Sequence, residues 1–322
     1  MDNKEIYKKT LTFSIRRFLW DLVSIVVIII AAAAGFFLAE KLVNNGLMGL
    51  GIGIVVAIVV VAIVSRFVSY VFKAGQIAMM TKGVTEGTLP DDVYGAGKQA
   101  VKELFLTVAA FYLVTNTIKG IFNQIGRGIT SVGRAVGGDN GSTIGSIISS
   151  VIQIIVAYLC DCCLGWVFYR RDISAPKATL EGAVLFFKHG KTLLRNFGRV
   201  FGIGLISFVV IGGVFFGISY LICMAFPDAF SNVAAIIEKA NTDGDLDFFT
   251  SAQNLMLIVS GVGGVTMWGI LHSVFVHPFI LVGVLRNYID SGRSETITEA
   301  DLSELDSKSK KFKKLHEQQM SA

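Results

Sequence analysis

The sequence predicts an all-α, polytopic membrane protein with about six transmembrane helices. The chain is 53% hydrophobic and only 16% charged, whereas soluble domains carry about 25% charged residues. Its mean hydropathy is +0.63. Several apolar runs reach about 20 residues, the length at which an α-helix crosses about 30 Å of hydrocarbon. These features exclude an ordinary soluble domain.

Polar segments separate the six predicted spans. The first span follows a basic amphipathic lead at residues 1–17, and we interpret it as an uncleaved helix because its apolar run continues past the alanines at 31–34. Residues 1–298 are predicted to form one transmembrane domain, and the charged tail 299–322 is predicted to be partly disordered. The spans are Phe18–Leu38, Leu47–Tyr70, Glu103–Phe122, Ile147–Tyr169, Val200–Phe226 and Leu255–Leu285.

The distribution of lysine and arginine predicts the orientation. With six spans, 24 basic residues lie on the side of the two termini and 5 lie on the other side. Because short cytosolic segments are enriched in lysine and arginine, both termini are predicted to be cytosolic. The short chain and the absence of targeting motifs favour a bacterial inner membrane.

Basic segments precede the third and fifth spans in a similar way. In each, a glycine–lysine pair is followed by a second cation four residues after the lysine. This similarity is either an internal repeat of helical hairpins, as in many transporters, or a general property of interfacial helices. The cations are predicted to face anionic lipid head groups or a cytosolic partner. They are Lys98, Lys102, Lys191, Arg195 and Arg199.

Asp161 is the leading candidate site residue because it lies within the fourth predicted span. A carboxylate inside a membrane requires a partner, a proton or a water-filled cavity. Arg170 follows nine residues later, about 13 Å along a helix. Asp161 is therefore either a cation or proton site, or a residue near the inner interface. The neighbouring Cys160, Cys162 and Cys163 are interpreted as packing residues, since their spacing does not surround one metal ion.

Other polar candidates lie in the third and sixth spans. Trp268, His272 and His277 precede a helix-breaking Pro278, and Asn116 lies in the most polar span. Imidazoles in a membrane can relay protons or bind polar solutes, and they can equally be hydrogen-bonded packing groups. Both interpretations remain open.

Glycine pairs spaced four residues apart predict helix faces for close packing. Gly49 and Gly53 form one pair in the second span, and Gly213 and Gly217 form another in the fifth. Such faces let helix backbones approach one another, and they predict a homo-oligomer.

Nucleotide-binding and catalytic motifs are absent from the sequence. There is no GxxxxGK[ST], no G-x-S-x-G and no H-E-x-x-H. We therefore expect no enzymatic activity, no cofactor and no metal. Nucleic-acid binding has no support beyond basic residues that the membrane topology already explains.

One stretch resembles a known family. It comprises CCLGWVFYRR at residues 162–171, AVLFFKHGKTLLRNFGRVFGIGLISFVVIGGVFFG at 183–217, and FVHPFILVGVLRNYIDSGRSE at 275–295. These segments, with Leu193, Leu194, Arg195 and Asn196 in a leucine–leucine–arginine–asparagine pattern, resemble the choline transporter-like family. The resemblance implies transport of choline or a similar organic cation.

Two functional hypotheses follow. The first is a transporter or permeation protein for a small cationic or polar solute, with Asp161 as the counter-charge and the other polar candidates lining the path. The alternative is a non-transporting scaffold that oligomerises through its glycine faces and binds anionic lipid or cytosolic partners. A membrane enzyme is disfavoured, since no convergent set of acid, base and metal ligands is present.

Overall fold

The computed structural model describes residues 1–105, 114–121, 123–124, 141–195, 197–240 and 247–321. Within these ranges the chain is helical and contains no strand. Residues 114–121 are helical too. The other helices are α1 (Asn3–Val43), α2 (Gly46–Glu86), α3 (Val93–Leu104), α4 (Gly141–Tyr169), α5 (Ala175–Arg195), α6 (Phe197–Ser207), α7 (Gly213–Met224), α8 (Pro227–Ala240), α9 (Ala252–Leu271), α10 (His277–Arg293), α11 (Glu299–Lys308) and α12 (Lys310–Met320).

Four of the described helices are long and apolar enough to cross a membrane. They are Asn3–Val43, Met48–Ser65, Val200–Met224 and Ala252–Arg293. This confirms a helical, membrane-embedded protein, but the predicted count of six spans and the internal repeat are not confirmed. The fourth predicted span corresponds to a shorter apolar helix, Gln153–Tyr169. Part of the third predicted span lies outside the described residues.

The chain divides into two compact units. The first comprises Met1–Gly198 together with Pro278–Ala322, and the second comprises Arg199–His277. The sequence predicts one transmembrane domain over residues 1–298.

In the first unit, α1 and α2 form a long hairpin. Asn44 takes a left-handed conformation at the end of α1, and the Glu40 carboxylate accepts a hydrogen bond from the Gly46 amide at 2.6 Å. Near the turn, the backbones approach so closely that a methyl group on Gly49 would collide with the Gly35 carbonyl. A methyl on Gly53 would collide with the carbonyl of an α1 alanine in the same way. Small residues permit this approach.

Beyond the hairpin, the first unit has a packed core. The C-terminal half of α2 packs against α3 and α4, and α4 packs against α5. One buried polar side chain in this core, Gln76, donates hydrogen bonds to the Thr10 carbonyl at 3.3 Å and to the Ser14 hydroxyl at 2.9 Å. At the other end, the buried Tyr288 hydroxyl donates to the Gly182 carbonyl.

In the second unit, α7 packs along α9. A π-helical turn joins α6 to α7 at Phe208–Gly212, and another follows α9 at His272–Val276. The helices approach closely at Gly264, where a methyl group would lie 2.8 Å from the Gly212 carbonyl oxygen. A π-turn inserts one residue into a helix and often occurs at functional sites.

The tail beyond residue 298, which is predicted to be partly disordered, contains α11 and α12. A capping box begins α11, in which Thr298 and Asp301 exchange side-chain and backbone hydrogen bonds. Leu305 and Phe312 are fully buried. The tail is therefore an amphipathic segment that buries its few apolar residues, which its high average charge conceals.

Candidate functional site

Asp161 forms an ion pair with Lys73. The Lys73 Nζ atom lies 2.7 Å from Asp161 Oδ1. Asp161 is 4% exposed, whereas the Lys73 side chain is 37% exposed. The carboxylate on α4 thus meets an ammonium from α2, one of the ways in which a buried carboxylate is stabilised. Lys73 supplies the positive charge that a cationic solute would otherwise bring.

The three cysteines beside Asp161 are buried free thiols. The Cys163 thiol lies 3.6 Å from the Thr179 carbonyl oxygen on α5. A methyl group on Gly182 would contact the same sulfur at 2.7 Å, so α4 and α5 are tightly packed here. Among the described residues, no cluster of three histidine, cysteine or acidic side chains could hold a metal ion.

A second polar cluster lies within the second unit. The Trp268 indole donates a hydrogen bond to the Ser207 hydroxyl at 3.2 Å, and His272 Nδ1 lies 3.1 Å from the same oxygen. Ser207 donates its own hydrogen to the Gly204 carbonyl at 2.7 Å. With that hydrogen used, His272 must donate through Nδ1, which leaves Nε2 as an acceptor in the neutral ring. Sequence reasoning identified Trp268 and His272 but missed Ser207.

The predicted path residues fall in both units of the chain. Asp161 and Asn116 belong to the first unit, and Asn116 is exposed on the helical stretch 114–121. Trp268, His272 and His277 belong to the second unit. The structure joins Trp268 and His272 through Ser207.

The predicted basic surface is described in part. Lys98 and Lys102 are exposed on α3. Lys191 and Arg195 lie on α5 and Arg199 lies on α6, but their side chains fall outside the described part of the structure.

The two predicted glycine pairs differ in their surroundings. Gly49 and Gly53 lie against the backbone of α1, so their smooth face is already used within the chain. A methyl group on Gly213 or Gly217 would meet no described atom within 4 Å. This second pair remains open for the predicted oligomer contact.

Sequence reasoning missed a cavity of about 630 Å³ in the first unit, which we call the charged cavity. It lies where the ends of α2, α4 and α10 meet the side of α3. No motif marks its residues, because they come from four separate segments that only the tertiary fold brings together. Its lining is Ala78, Met79, Thr81, Lys82, Thr85, Glu86, Ala96, Gln99, Ala100, Glu103, Phe168, Tyr169, Arg171 and Arg293.

Two ion pairs lie in the wall of the charged cavity. Arg171 Nη1 lies 3.2 Å from Glu103 Oε2, and Gln99 donates to the other oxygen of the Glu103 carboxylate at 2.9 Å. Lys82 and Glu86 form a pair at 3.4 Å along α2. All four charged side chains are about half exposed, so water reaches them.

Arg293 is held in the cavity wall by three contacts. Its Nη2 donates to the Thr85 carbonyl at 3.0 Å, and its guanidinium lies 5.6 Å from the centre of the Tyr169 ring. Its Nη1 is 3.8 Å from an Asp290 oxygen. These contacts fix the position of a cation at the end of α10.

The turn beside the cavity is stabilised by Arg170. Arg170 pairs with Glu181 at 2.7 Å and with Asp172 at 2.9 Å, while the Trp166 indole donates to Glu181 at 3.3 Å. The hydrogen bond from Arg170 lowers the pKa of Asp172, and the same bond raises the pKa of Arg170. Both groups therefore stay charged near neutral pH.

Ion pairs attach the tail to α5. Lys188 lies 3.0 Å from Asp301 and 3.3 Å from Glu295, and His189 Nε2 lies 3.0 Å from Glu295. Hydrogen bonds from the backbone and hydroxyl of Thr298, followed by the one from Lys188, lower the pKa of Asp301 to about 2. The hydrogen bond to Asp301 raises the pKa of Lys188.

No protein-family model, curated protein or solved structure matches this chain. The resemblance to the choline transporter-like family therefore stays a prediction.

Proposed function

We propose that this chain is a membrane-anchored scaffold that holds a folded helical domain at the cytosolic surface. One observation carries this proposal. The membrane-length part of the α1/α2 hairpin has no charged residue from Leu22 to Ala39 or from Gly46 to Ser65. A conduction path needs polar groups along its wall, and this hairpin offers outward-facing apolar side chains suited to lipid. The polar side chains instead lie in the core beyond the hairpin.

A four-span topology agrees with the charge distribution. With four spans at the long apolar helices, 27 of the 29 lysines and arginines would lie on the side of the termini. Only Lys41 and Lys239 lie in the short segments on the other side. This bias is stronger than the one from six spans, and it follows the positive-inside rule for short loops. The core, with Asp161, is then cytosolic rather than intramembrane.

As a scaffold, the protein would use its exposed basic residues to bind lipid or a partner. Lys98 and Lys102 project from α3 and are suited to anionic lipid head groups or an acidic partner. Gly213 and Gly217 offer a smooth face for a second copy of the chain.

Reporter fusions test the topology in a bacterial host. Alkaline phosphatase is active only outside the cytosol, and green fluorescent protein fluoresces only inside it. With four spans, a reporter inserted between Gly137 and Gly138 is fluorescent, whereas six spans make the phosphatase active there. The matched control is an insertion after Asn44, which both topologies place outside. Phosphatase activity at both positions would exclude four spans.

Transport of a small polar solute is the second candidate, and the Ser207–Trp268–His272 cluster favours it. This cluster lies in apolar helices, where polar groups are functional candidates. Purified protein in liposomes is assayed for flux of choline, ethanolamine and potassium, with Asp161→Asn, Trp268→Ala and His272→Ala as variants. The scaffold proposal expects flux equal to empty liposomes. If the wild type shows flux and Trp268→Ala or His272→Ala abolishes it, the transporter hypothesis replaces the scaffold proposal.

A further inference from the structure

The charged cavity has the size and chemistry of a small-molecule site. Its volume of about 630 Å³ falls within the range of about 300–1,000 Å³ for ligand pockets. Ala78, Met79, Ala100 and Phe168 form an apolar, buried part of its lining. Charged groups form the rest of the wall, so the lining combines an apolar floor with a polar rim.

The rim carries both signs of charge. Lys82, Arg171 and Arg293 contribute cations, and Glu86 and Glu103 contribute carboxylates. A purely anionic ligand would meet two carboxylates, and a purely cationic ligand would meet three cations. A ligand with one charge of each sign can approach the opposite charge on both sides.

The existing ion pairs in the rim do not prevent such a ligand from binding. Both the Arg171–Glu103 pair and the Lys82–Glu86 pair are about half exposed. Exposed pairs contribute about 0–1 kcal/mol because water screens them. Exchanging one such pair for two pairs with a ligand therefore costs little. Arg293, held by the Thr85 carbonyl and Tyr169, is already oriented before binding.

We propose that the charged cavity binds a small zwitterion, a molecule with one anionic and one cationic group on a short apolar frame. The guanidiniums of Arg171 and Arg293 bind its phosphate or carboxylate, since their planar donors match both groups. Glu86 and Glu103 bind its ammonium group.

The position of the charged cavity favours a soluble zwitterion over a lipid head group. Met79 follows Ser65, where the apolar stretch of α2 ends, by 14 residues. At the rise of an α-helix this is about 21 Å along the axis. A lipid would have to leave the bilayer to reach the cavity. The inference does not depend on whether the membrane helices conduct solutes.

Isothermal titration calorimetry on the full-length protein in detergent tests the proposal. The probes are phosphoethanolamine and 4-aminobutyrate, which are zwitterions with a phosphate and a carboxylate. Inorganic phosphate and ethanolamine each carry one of the two charges. We expect at least one zwitterion to bind about tenfold tighter than either single-charge probe, since charged hydrogen bonds contribute at both ends. Equal or absent binding of all four probes would overturn the proposal.

Matched variants locate the site. Arg171→Gln and Glu103→Gln should each weaken zwitterion binding about tenfold. Their controls are Lys313→Gln and Glu304→Gln, which disrupt exposed ion pairs on the tail and should leave binding unchanged. Where thermal unfolding shows that Arg171→Gln does not fold, Glu86→Gln replaces it, because the Glu86 side chain is 55% exposed and is assigned to the ammonium group. Equal loss in site and control variants would exclude the cavity.

Native mass spectrometry distinguishes the source of the zwitterion. The protein is released from nanodiscs that contain phosphatidylethanolamine and phosphatidylglycerol. If the released protein retains phosphatidylethanolamine and Arg171→Gln abolishes this retention, the zwitterion in the cavity is a lipid head group. Release without bound lipid, together with binding of a soluble probe, supports the soluble ligand.

Discussion

The α1/α2 hairpin and the core of the first unit contain equally apolar residues in opposite environments. Ile30 in α1 is 62% exposed, whereas Ile77 in α2 is 1% exposed. Both are isoleucines in helices of 41 residues. The difference lies in their neighbours. Ile77 follows Gln76, whose amide pairs with groups of α1, while Ile30 lies in an uninterrupted apolar run.

The two isoleucines show that an apolar helix can lie in either of two environments. The exposed apolar side chains around the hairpin are suited to lipid, since their exposure to water is energetically unfavourable. Apolar side chains in the core pack against other parts of the protein, and Gln76 there forms hydrogen bonds with α1. Hydropathy gives both kinds of segment the same signal, so it does not separate a membrane span from an apolar helix with protein partners, such as Gln153–Tyr169.

The largest expected effect comes from truncating the core isoleucine. Ile77→Ala should destabilise the protein by about 4 kcal/mol, because it removes buried methylenes and leaves a cavity. Ile30→Ala is the matched control, and in detergent it should change stability by less than about 0.5 kcal/mol. Urea unfolding followed by tryptophan fluorescence measures both. Similar losses for the two variants would contradict the division into core and hairpin.

Removing Lys73 should have the next largest effect. Lys73→Met leaves the buried Asp161 carboxylate without this ammonium, and we expect a loss of about 3 kcal/mol. The reverse change, Asp161→Asn, should be milder, because Lys73 is 37% exposed and reaches water. Thermal unfolding in detergent compares them with Lys313→Met, an exposed lysine on α12. Equal stability of Lys73→Met and Lys313→Met would show that the pair has no structural role.

Close packing in the hairpin predicts an intermediate effect. Gly49→Ala should destabilise the protein by about 2 kcal/mol, because the methyl group collides with the α1 backbone. Gly51→Ala is the control, since its methyl group meets nothing within 4 Å. We expect it to be neutral or to stabilise α2 by up to about 1 kcal/mol. Thermal unfolding in detergent measures the stability of both variants. Unchanged stability of Gly49→Ala would argue against close packing of α1 and α2.

The smallest expected effect is in the tail. Thr298→Ala removes the helix cap and should destabilise α11 by about 1 kcal/mol, measured as faster cleavage of the tail by pepsin. Thr296→Ala is the control, because only its carbonyl contacts Lys188. A cleavage rate equal to that of Thr296→Ala would show that the cap does not stabilise the tail.

The stability of the same tail should decrease at acidic pH. The pKa of Asp301 is about 2, below its ordinary value of 3.8. Its contribution is therefore complete above about pH 4 and disappears as the pH falls through about 2. Pepsin cleavage in the wild type should accelerate across this interval. In Asp301→Asn, the rate of tail cleavage, divided by the rate for an unstructured peptide substrate, should stay constant over this pH interval. If it rises with falling pH as in the wild type, another titrating group causes the effect.

The sequence predicted part of the candidate sites. It identified Asp161 as a carboxylate that needs a partner, because one acid among apolar residues stands out without any structure. It could not identify Lys73, which is 88 positions earlier in the chain. Trp268 and His272 were also visible as polar groups in an apolar run, but Ser207 was not, since serine is common in membrane helices.

By itself, the sequence determined that this protein is helical and membrane-embedded, because hydropathy and charge are local properties of each segment. Only the tertiary structure decided which apolar helices face partners within the chain and which do not. It also decided that the tail folds against α5, through ion pairs between residues more than 100 positions apart such as Lys188 and Asp301. The charged cavity exists only because the ends of α2, α4 and α10 meet, and long-range packing of this kind leaves no periodic pattern in a sequence.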